Sequence, residues 1–96
     1  MRYDDSKIEL VESDKAHKLG FPVAVIASAR RKLRFIRQAV DERDLRAMKS
    51  LHYENLKGER KGQCSIRLNN QWRMIFRVNS ESEPREVVIL DIEDYH

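Results

Sequence analysis

One cysteine, two prolines and three glycines among 96 residues leave this chain few of the devices that brace small proteins. A lone Cys64 makes no internal disulfide and offers no zinc spacing, so a hydrophobic core must hold the fold. No apolar run approaches the roughly 20 residues that span a bilayer. The opening Met1-Arg2-Tyr3-Asp4-Asp5-Ser6-Lys7 contains no apolar export segment. A glycine-rich phosphate loop, a CxxC pair and an HExxH motif are all missing, and no metal or cofactor is expected. Repeats, linkers and low-complexity tracts are missing too, so residues 1–96 read as one domain. The expected location is the cytoplasm, with no membrane contact.

What is present is charge. Apolar residues make up 41% of the chain and charged residues 36%, with a formal net charge of +3. That balance is too apolar for a disordered tail and too charged for a membrane protein. Its distribution says more than its sum. Residues 57–77 carry Lys57, Arg60, Lys61, Arg67, Arg73 and Arg77 against one acid, Glu59, whereas 81–94 carry six acids against Arg85. A second basic block, Arg30-Arg31-Lys32-Leu33-Arg34 with Arg37, contains no acid. Two basic segments in so short a chain point to a polyanionic partner, against the plainer reading of solvated surfaces.

Periodicity divides the chain near residue 50. Lys7 to Glu12 roughly alternates and reads as a short strand, and Ser13 or Asp14 caps a helix that Gly20 ends. Ile26, Ala29, Leu33, Ile36 and Val40 recur at steps of 3 and 4, which predicts an amphipathic helix from Pro22 to Ala39. On that helix Arg30, Arg34 and Arg37 lie within about 60° of one another, beside the apolar stripe, which makes Arg30, Arg31, Arg34 and Arg37 candidates for contact with a polyanion. Phe35 projects about 140° from the stripe, so it either packs under a loop or is exposed to a partner. Asp41 to Asp44 reads as a break, followed by one more helical turn at Leu45 and Met48.

Strands follow at roughly 51–56, 63–69, 71–79 and 86–93. Keeping Cys64, Ile66 and Leu68 on one face with Trp72, Met74 and Phe76 requires Leu68 opposite Trp72, Ile66 opposite Met74 and Cys64 opposite Phe76. That register leaves a three-residue loop, Asn69-Asn70-Gln71. Arg67, Arg73 and Arg77 then share the other face, which is expected to be basic. Val87 to Ile92 is apolar on both faces and should be an interior strand that delivers Asp94-Tyr95-His96 to the sheet's end.

An aspartate, a tyrosine, imidazoles and arginines without a metal motif can cleave RNA. A base takes the 2′-hydroxyl proton, an acid serves the leaving 5′-oxygen, cations balance the phosphate, and a ring stacks on a base. The bland alternative is a polar C-terminal tail, with His17 simply a surface residue.

Five ordered motifs carry a resemblance: Leu51-His52; Leu56-Lys57-Gly58-Glu59-Arg60-Lys61-Gly62; Ser65-Ile66-Arg67-Leu68-Asn69; Gln71-Trp72-Arg73-Met74-Ile75-Phe76; and Asp94-Tyr95-His96. Over about residues 48–96 the chain resembles the HigB toxin family of the RelE/ParE superfamily. The resemblance implies an α+β, RelE-like fold, with N-terminal helices packed on one face of a twisted, mostly antiparallel sheet. It implies a metal-independent endoribonuclease that cuts mRNA on the translating ribosome. It also implies a helix-turn-helix, HigA-like antitoxin that neutralises the toxin and acts with it on operator DNA. These implied partners make Phe35 a candidate contact for the antitoxin, and Arg30, Arg31, Arg34 and Arg37 candidates for binding ribosomal RNA. By position, Asp94 and Tyr95 match the family's principal active-site pair, and His52 and His96 its supporting histidines. Lys57 matches its motif lysine and Arg73 its phosphate-gripping arginine, with Arg67, Arg60 and Lys61 as further RNA contacts. Two extra residues separate His52 from Leu56-Lys57-Gly58, which moves that histidine relative to the family pattern. The expected product is a 2′,3′-cyclic phosphate. A ParE-like gyrase poison and a non-catalytic nucleic-acid-binding module are the competing readings, and neither needs the terminal acid–base groups.

Overall fold

Pro22 stands at the entrance of α2 (Val23–Gln38), the long helix that the 3-and-4 spacing predicts. The structure, a computed structural model, describes residues 1–83 and 85–94. The buried stripe of α2 is Val25, Ser28, Ala29, Leu33 and Ile36. Ser28 is accommodated because its hydroxyl donates to the Leu68 carbonyl at 2.7 Å. Two expected members of the stripe differ. Ile26 is only half-buried, and Val40 is 69% exposed because the helix has already ended and Ala39 is extended.

The strand expected over 7–12 is instead helical. Asp5 accepts from the Lys7 N–H at 2.8 Å and caps α1 (Ser6–Glu9), which passes into a 3₁₀ turn at Leu10–Glu12. Ile8 and Val11, three apart, are the buried pair, so helical spacing prevails over the local alternation. A second 3₁₀ turn, Ala16–Leu19, ends at Gly20 with φ 77°, as the sequence predicts. Asp41 to Asp44 is not a break but the start of α3 (Glu42–Ala47), where the Asp41 carboxylate accepts from the Arg43 N–H at 2.9 Å.

The sheet contains β1 (Arg2–Tyr3), β2 (Glu54–Asn55), β3 (Gln63–Arg67), β4 (Trp72–Asn79) and β5 (Glu86–Asp94), in the order β1-β5-β4-β3-β2. β1, which the sequence did not announce, pairs parallel to β5, and the remaining pairs are antiparallel. β5 is therefore interior, as its two-sided apolar character requires. The first expected strand shrinks to β2, because Lys49–Leu51 forms a 3₁₀ turn and His52 takes a left-handed conformation at φ 49°.

The hairpin register is the expected one: Cys64 opposite Phe76, Ile66 opposite Met74 and Arg67 opposite Arg73. A bulge between Ile75 and Phe76 shifts the pairing with β5, so that Ile75 meets Asp91 and Phe76 meets Ile89. The residue left over, Leu90, lets Val87, Ile89 and Ile92 all reach the core. One core results, with Ile8, Val11, Val25, Ala29, Leu33, Ile36 and Leu45 packed against Cys64, Ile66, Met74, Phe76, Ile89 and Ile92. Helices on one side and a mostly antiparallel sheet on the other make the expected α+β arrangement.

Candidate active site

Asp94 ends β5 directly opposite Trp72, the first residue of β4. The loop between β3 and β4 makes this end firm. Leu68 and Asn69 N–H groups both donate to the Trp72 carbonyl, at 2.9 and 3.3 Å. The Asn69 side-chain oxygen accepts from the N–H groups of Gln71 and Trp72, each at 2.8 Å. Gln71 so held donates its amide to Asp94 Oδ2 at 2.9 Å. Trp72 packs edge-on against Phe21 with ring centroids 5.5 Å apart. Asp94 is thus an exposed carboxylate on a rigid mount. Gln71 and Trp72 were not among the expected site residues. Extending the hairpin register to β5 would have found them, but only with the strand order in hand.

The outer face of the sheet is not the basic surface that the hairpin alone implied. Arg67 and Arg73 do face one another across β3 and β4, but Glu93 is the next cross-strand neighbour of Arg73. Arg73, whose side chain is 11% exposed, lies 3.6 Å from Glu54 and 3.3 Å from the Ser65 hydroxyl. Arg60 reaches over the face and donates to Glu93 at 2.8 Å, and Arg77 sits 3.6 Å from Asp4. Asp91 and Glu93 bring acid onto this face, because β5 lies beside β4. Among the described residues, the Nε of Arg67 is buried without a hydrogen-bond partner.

The other expected site residues divide into groups. Asp94 and Arg73 occupy adjacent positions at one sheet end but opposite faces, since Asp94 pairs with Trp72 and Arg73 with Glu93. Tyr95 and His96 lie outside the described residues. His52 precedes β2 on the far side of β3 and β4, so three strand spacings, about 14 Å of sheet, separate it from β5. Lys57 and Lys61 flank the 3₁₀ turn Gly58–Arg60 and are exposed, at the end of β3 remote from Arg67.

The helix cations are likewise split. Arg30 donates to the carbonyls of Val11 and Ser13 at 2.9 and 2.7 Å, tying α2 to the preceding 3₁₀ turn. Arg37 pairs with Glu12, which also accepts from the Tyr3 hydroxyl. The Arg37 guanidinium holds the Glu12 carboxyl below its ordinary range, and burial pushes the Tyr3 phenol up. Arg31 and Arg34 stay exposed, and Lys32 is half-buried. Phe35 is half-buried against the core rather than displayed. Of the two alternatives that its angle from the stripe left open, packing is the one observed.

A family model described as the RelE-like toxin of type II toxin-antitoxin system HigB matches residues 3–96. Toxin HigB-1 of Vibrio cholerae serotype O1 is 38% identical over 78 residues, which are 80% of this chain and 81% of that protein. Among solved structures, a YoeB/ParE toxin from Agrobacterium tumefaciens matches over all of both chains with a TM-score of 0.59 and 14% identity, a likeness of fold alone.

Proposed function

The chain belongs to the HigB-like toxins of type II toxin–antitoxin systems, and from that premise we propose that it is a metal-independent endoribonuclease that cuts mRNA on the translating ribosome. The observation that carries this reading is Asp94, an exposed carboxylate fixed by Gln71 at the end of an interior strand. A group so mounted suits proton transfer better than one on a free tail.

In the proposed reaction Asp94 takes the proton from a 2′-hydroxyl. The 2′-oxygen bonds to phosphorus, the bond from phosphorus to the 5′-oxygen breaks, and the leaving oxygen is protonated. The products are a 2′,3′-cyclic phosphate and a 5′-hydroxyl. His96 is the proposed acid, because His52 stands three strands from Asp94. Tyr95 is assigned to stack on the reacting nucleotide. Arg73 borders the same sheet end and offsets the charge that develops on phosphate, whereas Lys57 and Lys61 are placed to contact RNA further along.

A type II toxin has an antitoxin partner. We take that antitoxin to be HigA-like, with a helix-turn-helix, and the complex to bind operator DNA. Arg31 and Arg34 are the α2 cations that remain available to ribosomal RNA, since Arg30 and Arg37 are engaged within the chain. A ribosomal substrate places the protein in the cytoplasm.

Mapping mRNA ends after induced expression tests the reading. The chain should create new ends within translated reading frames, and Asp94→Asn should slow cutting by about 10²–10⁴-fold. Cuts undiminished in the Asp94→Asn, Tyr95→Ala double variant would overturn the site. DNA damage without mRNA cuts would replace the nuclease with a gyrase poison.

A further inference from the structure

A recess opens at the β2 edge of the sheet, away from Asp94. It is lined by Arg46, Met48, Lys49, His52, Tyr53 and Asn55. No carboxylate lines it, and neither Arg46 nor Lys49 is ion-paired among the described residues. Met48, 38% exposed, adds an apolar contact beside these cations. His52 is held here in the left-handed region at φ 49°, a conformation that costs a non-glycine residue and is found disproportionately at functional positions.

The recess contains a built stack. Phe76, in the core, presents an edge contact to the Tyr53 ring, with centroids 5.6 Å apart and planes at 66°. The Tyr53 hydroxyl is anchored 3.1 Å from Cys64 Sγ, and that thiol in turn lies 3.3 Å from Asn55 Oδ1. Over the fixed ring lies the guanidinium of Arg46, 4.8 Å from its centroid. Arg46 is exposed, so its guanidinium stays accessible to solvent while it sits over Tyr53. A planar cation held over an aromatic ring is a group on which a nucleobase stacks.

We infer that this recess is a subsite for a nucleotide of single-stranded RNA, whose base stacks on Arg46 and whose phosphate meets Lys49. The Asn55 carbonyl is engaged by the thiol, which leaves the amide group to donate to a base edge. About 14 Å of sheet separate the recess from the Asp94 strand, so the nucleotide it holds flanks the one that reacts. The inference rests on the RNA-cutting reading and deepens it. It gives His52 and Tyr53 a place in binding rather than in proton transfer.

The test is fluorescence anisotropy with a short, labelled, single-stranded 2′-O-methyl RNA, which binds but cannot be cut. Arg46→Ala should weaken binding about tenfold, as loss of one base stack does. Arg46→Lys should restore little affinity, because an ammonium keeps the charge and loses the plane. Lys49→Ala should lower the salt dependence by about one phosphate contact. A probe with abasic positions should bind the unaltered chain weakly and be insensitive to Arg46→Ala. If Arg46→Lys binds like the unaltered chain, or the unaltered chain does not bind the probe, the subsite is wrong. Cutting of translated mRNA on ribosomes, measured in parallel, separates the two ideas. Cutting with RNA binding indifferent to Arg46 would remove the subsite and leave the nuclease. Arg46-dependent binding without any cutting would do the reverse.

Discussion

The two faces of the sheet come from alternate residues of the same strands yet are held together by different forces. Toward the helices lie Ile66, Met74, Phe76, Ile89 and Ile92, all nearly or wholly buried in one apolar cluster. On the outer face Ser65, Ile75 and Val88 are equally buried but lie outside that cluster. Long charged side chains surround them, and the stems of such side chains cover apolar surface while their heads remain polar. The helix-facing side is a matter of volume and area. The outer side is a matter of which charge lies beside which.

Phe76→Ala should break the first half of this comparison most severely. Phe76 is fully buried and braces Tyr53, so its loss should cost about 3–5 kcal/mol of stability, read as a lowered midpoint in urea. An outer-face change of similar size, such as Arg77→Ala, should cost far less, since its ion pair with Asp4 is exposed.

Glu93→Gln sharpens the second half. It releases Arg60 and removes the acid beside Arg73 at a stability cost below about 1 kcal/mol, because the pair with Arg60 is partly exposed. Affinity for single-stranded RNA should rise roughly two- to five-fold, the effect of removing one weakly screened like charge from the ligand's path. Unchanged affinity in a binding titration would show that the outer face does not meet RNA.

Acid probes the comparison without changing its faces. The core cluster contains no carboxylate, so lowering the pH acts on the charge pairs. Asp41 is the clearest case: hydrogen bonds from the Arg43 guanidinium and N–H hold its carboxyl down to about 2. In the unfolded chain it titrates near about 3.9. Its contribution is complete above that value and is lost as the pH falls through about 2. Asp41→Asn, which keeps a cap acceptor, should therefore show a shallower loss of urea stability between about pH 4 and 2.

Where the chemistry of a few consecutive residues decides the structure, the sequence was legible. The spacing of Ala29, Leu33 and Ile36 fixes α2, and the alternation of Cys64–Leu68 and Trp72–Phe76 fixes the hairpin register down to its three-residue loop. The candidate site was legible only in part. Asp94 could be placed at the end of an interior strand, but its support by Gln71 could not, nor could the three strand spacings between His52 and the Asp94 strand. The segment 7–12 shows the limit on a smaller scale, since Asp5 capping and the Ile8–Val11 pair outweighed its alternation.

By itself, then, the sequence determined an amphipathic helix, a hairpin with one apolar face and an apolar strand needing cover on both sides, because each follows from a period within one segment. The tertiary structure alone decided that β1 lies parallel to β5, that Leu90 bulges, and that Glu93 pairs with Arg60 and lies beside Arg73. It also decided that Arg46 rests on Tyr53. Those facts depend on which strands become neighbours, and charges tens of residues apart have no partner until folding brings them within a few ångströms.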